Sequence, residues 1–299
     1  MSQSSQRPPR RPSLPLLLAG LVVVTGLLMA PTLSRALQPS PSPSPTASES
    51  PAVTPAPPSM ATPPPAAQSA VPSASPAPTP APTPSAPAYD YTQPAPESPA
   101  VDMSYFSDAL FIGDSRTDGL QLFSGIKDTT FFCYKGITVF DVMEDDPKKV
   151  IELGGVKYSI QGALEACQGQ FKKVYLSLGI NELGYYDDQG FHDKFAALID
   201  KVRATQPGAV IYLQNLVPVN PELCAKNWSS YVNNEKVAVY NAIFTQLAQE
   251  KQVILLDVAS ALSNSEGILA KENTVDGVHF TKAWYKEWLS YLMCHTVSL

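Results

Sequence analysis

Five short, nearly unbroken apolar runs recur along the second part of the chain: Ala109–Gly113, Thr129–Tyr134, Lys173–Leu178, Ala209–Leu216 and Gln252–Val258. They are rich in Val, Ile, Leu, Phe and Tyr and lack the alternation of a strand with one wet face. That is the pattern of parallel strands covered on both sides. Amphipathic stretches at Ser159–Cys167, Phe191–Thr205, Tyr231–Glu250 and Lys282–His295 read as helices. Ser159 and Thr281 stand where N-caps are expected, and Gln206-Pro207-Gly208 is a stop. Strand–helix alternation requires right-handed crossovers, so the pattern predicts an α/β fold, a three-layer α/β/α sandwich around a five-stranded parallel sheet.

The first hundred residues follow a different pattern. Of 30 prolines, 21 fall in residues 37–100 and only four lie later, Pro147, Pro207, Pro218 and Pro221. Residues 37–101 are mostly Pro, Ala, Ser and Thr. Such a segment has too little apolar surface to offset its ordering entropy and reads as a disordered, extended linker. Before it, Arg7, Arg10 and Arg11 precede an uncharged stretch from Pro12 to Ser34. A basic flank and an apolar run form an export signal or a signal-anchor. Leu14–Leu33 is long enough for a transmembrane helix, and the arginines would keep its N-terminal side in the cytoplasm. Ser34-Arg35-Ala36 also offers a small-x-small cleavage site, so membrane anchoring and secretion both stand. The expected organisation is residues 1–36 as basic tail and anchor, 37–101 as linker and 102–299 as the folded domain, held outside the cytoplasm at the cell membrane or secreted.

Charge narrows the partners. The chain has 21 basic and 27 acidic residues, with four and three of these before residue 101, which leaves 17 and 24 in the domain, a balance of about −7. That disfavours nucleic acid. The three histidines, at 192, 279 and 295, are too scattered for a metal site, and no cofactor motif is present. Cys133, Cys167, Cys224 and Cys294 leave open either free thiols or one disulfide, which export would permit.

The chemistry gathers at the ends of the apolar runs. Gly113-Asp114-Ser115 ends the first, Lys135-Gly136-Ile137-Thr138 follows the second, Gly179-Ile180-Asn181-Glu182 follows the third, and Asp276-Gly277-Val278-His279 lies after the fifth. Open α/β sheets place their sites at the carboxyl ends of strands. A serine, a histidine and an aspartate there are the parts of an activated nucleophile. In this order and position the four blocks resemble the SGNH (GDSL-type) hydrolase family, over residues 105–299. The resemblance implies a flavodoxin-like sheet order and a catalytic triad of Ser115 as nucleophile, His279 as base and Asp276 as its orienting carboxylate. It also implies an oxyanion hole made by the Ser115 and Gly136 amides and the Asn181 side chain. Two residues depart from the common pattern, Arg116 after the serine and Glu182 after the asparagine, and both are candidates for substrate binding.

Chemistry and location together point to an extracytoplasmic serine esterase that acts on a small ester substrate. The expected substrate is a short acyl group, O-acetyl above all, on cell-wall or surface carbohydrate. An acetyltransferase of the same fold acting on a glycan, a lipase or a thioesterase use the same residues. A non-enzymatic wall-binding module would have no need of them. The domain is expected to act as a monomer. Tyr185, Tyr186 and Trp228, in loops after strands, are read as either sugar-stacking faces or packing.

Overall fold

The computed structural model describes residues 89–297. The anchor and most of the linker lie outside the described residues. Within them no helix is long and apolar enough to cross a membrane.

The elements, in chain order, are β1 (Ala109–Gly113), α1 (Ser115–Phe123), β2 (Thr130–Cys133), α2 (Val139–Met143), β3 (Ile151–Leu153), β4 (Val156–Tyr158), α3 (Ile160–Ala166), β5 (Lys173–Ser177), α4 (Asp188–Thr205), β6 (Val210–Gln214), α5 (Pro221–Asn227), α6 (Asn234–Lys251), β7 (Ile254–Leu256), α7 (Val258–Leu262) and α8 (Lys282–Met293). Five strands form one sheet in the order β2-β1-β5-β6-β7, and every pairing is parallel. All five expected strands are there, and the three-layer α/β/α sandwich is the observed architecture. β3 and β4 add a small antiparallel hairpin turned by Gly154-Gly155, which the sequence reading did not include.

Alternate residues of each strand feed two separate cores. Leu110, Ile112, Val174, Leu176, Ile211 and Leu213 face one layer, where α4 and α6 bring Phe191, Phe195, Tyr240 and Phe244. Phe111, Tyr175, Tyr212 and Ile254 face the other, with Leu120 of α1, Leu262 of α7 and Trp288 of α8. On that second face Phe131, Phe111, Tyr175 and Tyr212 stack ring on ring across four neighbouring strands, at centroid spacings of 5.0, 4.4 and 4.5 Å. These are the side chains that the parallel register sets opposite one another.

The boundary of the folded region differs from the sequence reading. Residues 89–101, assigned there to the linker, lie along the domain. Ala95 is buried and its N–H donates to Leu255 O of β7. Ser98 N–H and Val101 N–H donate to Cys294 O and Met293 O at the end of α8. Tyr89, Tyr91 and Val101 pack on the second core. This strap contains proline but also the aromatic residues that residues 37–88 lack, and those give it surface to bury.

Candidate active site

β1 and β5 are neighbours whose following connections leave in opposite directions across the sheet. The crevice at their carboxyl ends is the topological switch point. β1 ends at Gly113 and α1 begins at Ser115 with one residue between them. That residue, Asp114, is the N-cap. It is buried, and its carboxylate accepts from Arg116 N–H at 2.8 Å. Burial pushes its carboxyl up to about 6, against the opposing pull of the Arg116 N–H and guanidinium. Asp114 therefore braces the turn, and Ser115 occupies the first turn of α1, where backbone N–H groups lack helical partners and the helix dipole favours negative charge.

His279 reaches the serine from the far end of the domain. Ser115 Oγ lies 2.8 Å from His279 Nε2, and His279 Nδ1 lies 2.7 Å from Asp276 Oδ2. With the Nδ1 proton donated to the carboxylate, Nε2 is free to accept from the hydroxyl. The loop that carries the pair is tied at several points. Asp276 Oδ1 accepts from the N–H groups of Val278 and His279. Thr274 Oγ1 donates to His279 O and accepts from Gly277 N–H. Trp228 Nε1 and Asn227 Nδ2 both donate to Asp276 O. Burial alone would raise the Asp276 carboxyl, but the hydrogen bonds from the His279 ring and from the two backbone N–H groups outweigh it and hold it below the ordinary range. Gly277 is needed where it stands. Its φ is +103°, and a Cβ there would lie 2.9 Å from Cys224 N.

Gly136 and Asn181, which the family resemblance implies as oxyanion donors, line the cavity beside Ser115 and His279. Gly136, at φ +73°, lines the same cavity as Ser115, and its N–H finds no acceptor among the described residues. Asn181 Nδ2 donates to Ile137 O at 2.9 Å, which fixes the side chain and leaves its second N–H for a ligand. The cavity has a volume of about 410 Å³. Its remaining wall comes from Lys135, Ile180, Val278 and the α5–α6 loop residues Trp228, Tyr231 and Val232. Trp228 both braces the Asp276 loop and lines the cavity. Tyr185 packs against Phe140, and Tyr186 stands almost fully in solvent.

The two residues expected to contact substrate do not line this cavity. Arg116 is only 4% exposed. Its guanidinium donates to Val278 O and Val217 O and lies 4.9 Å from the Phe280 ring. It anchors the histidine loop from beneath. Glu182 is 2% exposed, and its Oε1 accepts from Val139 N–H at the start of α2. It ties the Asn181 turn to the Gly136 turn, and Oε2 has no partner among the described residues. Both side chains point inward because neighbouring turns present backbone groups that need a long polar side chain. The sequence marked the positions but not the direction in which they point. Lys135 stood in the Gly136 block without a role of its own, and Tyr231 was not singled out.

His192 binds Asp193 and Glu250 on the surface, and His295 stacks on Tyr291; neither approaches the site. All four cysteines are free thiols. Among the described residues no group of three or more His, Cys, Asp or Glu could hold a metal ion.

Solved structures similar to this chain include a Streptococcus pneumonia protein provisionally described as a platelet activating factor. It is 22% identical, covers 64% of this chain and 88% of its own, and has a TM-score of 0.48. A GDSL-like lipase from Bacteroides thetaiotaomicron is 15% identical over 63% of this chain and 87% of its own, with a TM-score of 0.45. A peptidoglycan O-acetylesterase is 17% identical over 55% and 45%, with a TM-score of 0.41. The comparison with curated proteins returned no match. The sequence model of the GDSL-like lipase/acylhydrolase family matches residues 111–287, more than half of the chain, and the chain belongs to that family of ester-hydrolysing enzymes.

Proposed function

We propose that this enzyme is a serine esterase acting outside the cytoplasm, with Ser115, His279 and Asp276 as its triad, and that it removes O-acetyl or other short acyl groups from cell-wall or surface carbohydrate. The observation that carries the chemistry is the unbroken relay from Ser115 Oγ through His279 to Asp276 beside a cavity that also presents Gly136 and Asn181. In the first step Ser115 Oγ bonds to the ester carbon while its proton passes to His279 Nε2. The carbonyl oxygen becomes an oxyanion facing the amides of Ser115 and Gly136 and the Asn181 side chain. When the C–O bond to the alcohol breaks, the imidazolium returns its proton to the departing oxygen, leaving an acyl-serine. Water attacks this intermediate by the same route, His279 taking its proton, and the carboxylic acid leaves. Asp276 holds the tautomer and stabilises the imidazolium.

Carbohydrate is supported by the exposed Trp228 and Tyr231 faces on the cavity wall, which suit a sugar ring, and by the polar serines and asparagines of the same loop. The location is supported by the basic flank, apolar run and proline-rich stretch ahead of the domain, a pattern that also supports attachment to a membrane. The test is kcat/KM for acetyl, butyryl, octanoyl and palmitoyl esters and for an O-acetylated glycan, with Ser115→Ala as control. Acetates and the glycan are expected to be favoured and Ser115→Ala to be inert. Turnover confined to long acyl chains would overturn the carbohydrate reading, and an active Ser115→Ala would overturn the mechanism.

A further inference from the structure

Ser115 and His279 line a second depression as well as the first. It has a volume of about 390 Å³ and runs away from Gly136 and Asn181, between the outer face of α1 and the histidine loop. Its apolar surface comes from Leu122, Phe123, Val275 and Phe280. Leu122 and Val275 are 60% and 67% exposed, so that surface is open to water in the free enzyme. Two cations stand on it. Lys282 Nζ lies 5.2 Å from the centre of the Phe123 ring and has no carboxylate partner among the described residues. Lys135, which borders both depressions, is only loosely paired with Asp118, at 3.5 Å and with its own side chain 75% exposed. Asp118 lines the depression with them, so two lysines face one carboxylate there, in a domain whose balance is about −7.

Stereochemistry assigns the two depressions. The oxyanion must face Gly136 and Asn181, which line only the first. The acyl-bearing carbon is held there. The departing oxygen must lie within reach of His279 Nε2, which lines both depressions, and the second, built from Val275, Phe280 and α1, is the one that leads away from the oxyanion donors. We propose that this second depression is the leaving-group site and that Lys135 and Lys282 make it select alcohols that carry a negative charge, a carboxylate or a phosphate, beside an apolar or ring surface. This rests on the esterase reading above and places the alcohol half of its substrate, the esterified sugar, in the second depression, with Trp228 and Tyr231 on the first cavity left to a neighbouring ring of the same glycan. The apolar floor receives the ring carbons, and the ammonium groups meet the anion at the rim. No bond to the lysines forms, and the proton path is unchanged.

The experiment uses the full chain and three acetate esters: phenyl acetate, 3-acetoxybenzoate and 3-acetoxyphenyl phosphate. Meta substitution keeps the basicity of the leaving phenol close to that of phenol, so the comparison reports charge. The quantity read is kcat/KM of each anionic ester divided by that of phenyl acetate, in which any effect of a variant common to both cancels. At low salt the wild type is expected to favour the anionic esters by about 3- to 10-fold, the size expected for two exposed charge contacts. The ratio should fall toward one in concentrated salt and in the Lys135→Gln/Lys282→Gln double variant. Asp118→Asn, which frees Lys135, should raise it. The relative ratios for carboxylate and phosphate distinguish the two anion sources. A wild-type ratio of one or below, or a ratio unchanged in the double variant, would overturn the leaving-group assignment while leaving the esterase intact. No turnover of phenyl acetate or of either anionic ester would instead remove the esterase reading itself.

Discussion

Arg116 and Glu182 show how much a single long polar side chain can hold in place. The Arg116 guanidinium is buried, carries two backbone carbonyls of different loops and offsets Asp114. Removing one member of a buried charged set leaves the others uncompensated. Arg116→Leu is therefore expected to cost about 3 kcal/mol of stability, measured by urea unfolding; a change in KM without loss of stability would return Arg116 to a substrate role. Glu182 makes a pH argument. Burial pushes its carboxyl from the ordinary range up to about 8, with Asp114 and Asp141 adding to the effect and the Val139 N–H opposing it. The folded protein then keeps a proton that the unfolded chain gives up near pH 4.5. Between that pH and about 8 the unfolded state binds fewer protons, so stability falls as pH rises and levels off above. Glu182→Gln keeps an acceptor for Val139 and removes the titration. Its urea midpoint relative to wild type should rise from pH 5 to pH 8, and parallel curves would show that the carboxyl does not titrate there. Asn181→Ala, if Asn181 is an oxyanion donor, should lower kcat about 10²–10³-fold with little change in KM; a pure KM effect in steady-state kinetics would make it a binding residue.

Among elements, the strap of residues 89–101 is the one whose worth is easiest to measure. It contributes three backbone hydrogen bonds and buries Ala95. A chain beginning at 102 should be less stable than one beginning at 89 by about 2 kcal/mol, given a net contribution of roughly 0.5–1 kcal/mol for each of the three hydrogen bonds. Equal thermal midpoints would mean that the strap adds nothing. The strap was invisible in the sequence because its prolines continue those of the preceding stretch, and only Tyr89, Tyr91 and Val101 mark the change. The five sheet strands were legible because burial on both faces leaves no polar alternation. α1 was not, because its buried positions include Arg116, Thr117 and Gly119, so polar residues occupy the face that packs. The hairpin Ile151–Tyr158 was missed for the opposite reason: it is short, charged and exposed, with little apolar surface to give a period. α4 starts three residues before the expected Phe191, where Asp187 caps it.

For the molecule as a whole, the relay and its neighbours were read from four short blocks because strand ends in a parallel sheet converge on one edge. Ser115 and His279 lie 164 positions apart and still meet. The walls were only partly legible: Trp228 was marked as a loop aromatic, but Tyr231 and Lys135 reach the site from connections whose course depends on the packing of the helices they join, and Lys282 from the start of α8. The strap has one more effect. β7 is the last strand of the sheet, so its outer edge carries peptide groups with no neighbouring strand. Ala95 N–H meets one of these, Leu255 O. An uncovered edge of a flat apolar strand is a template on which a second molecule can extend the sheet. Trimming the chain to residue 102 would thus do more than weaken the fold. It would create a sticky seam, and the first sign of damage would be clustering of still-folded molecules that grows with protein concentration.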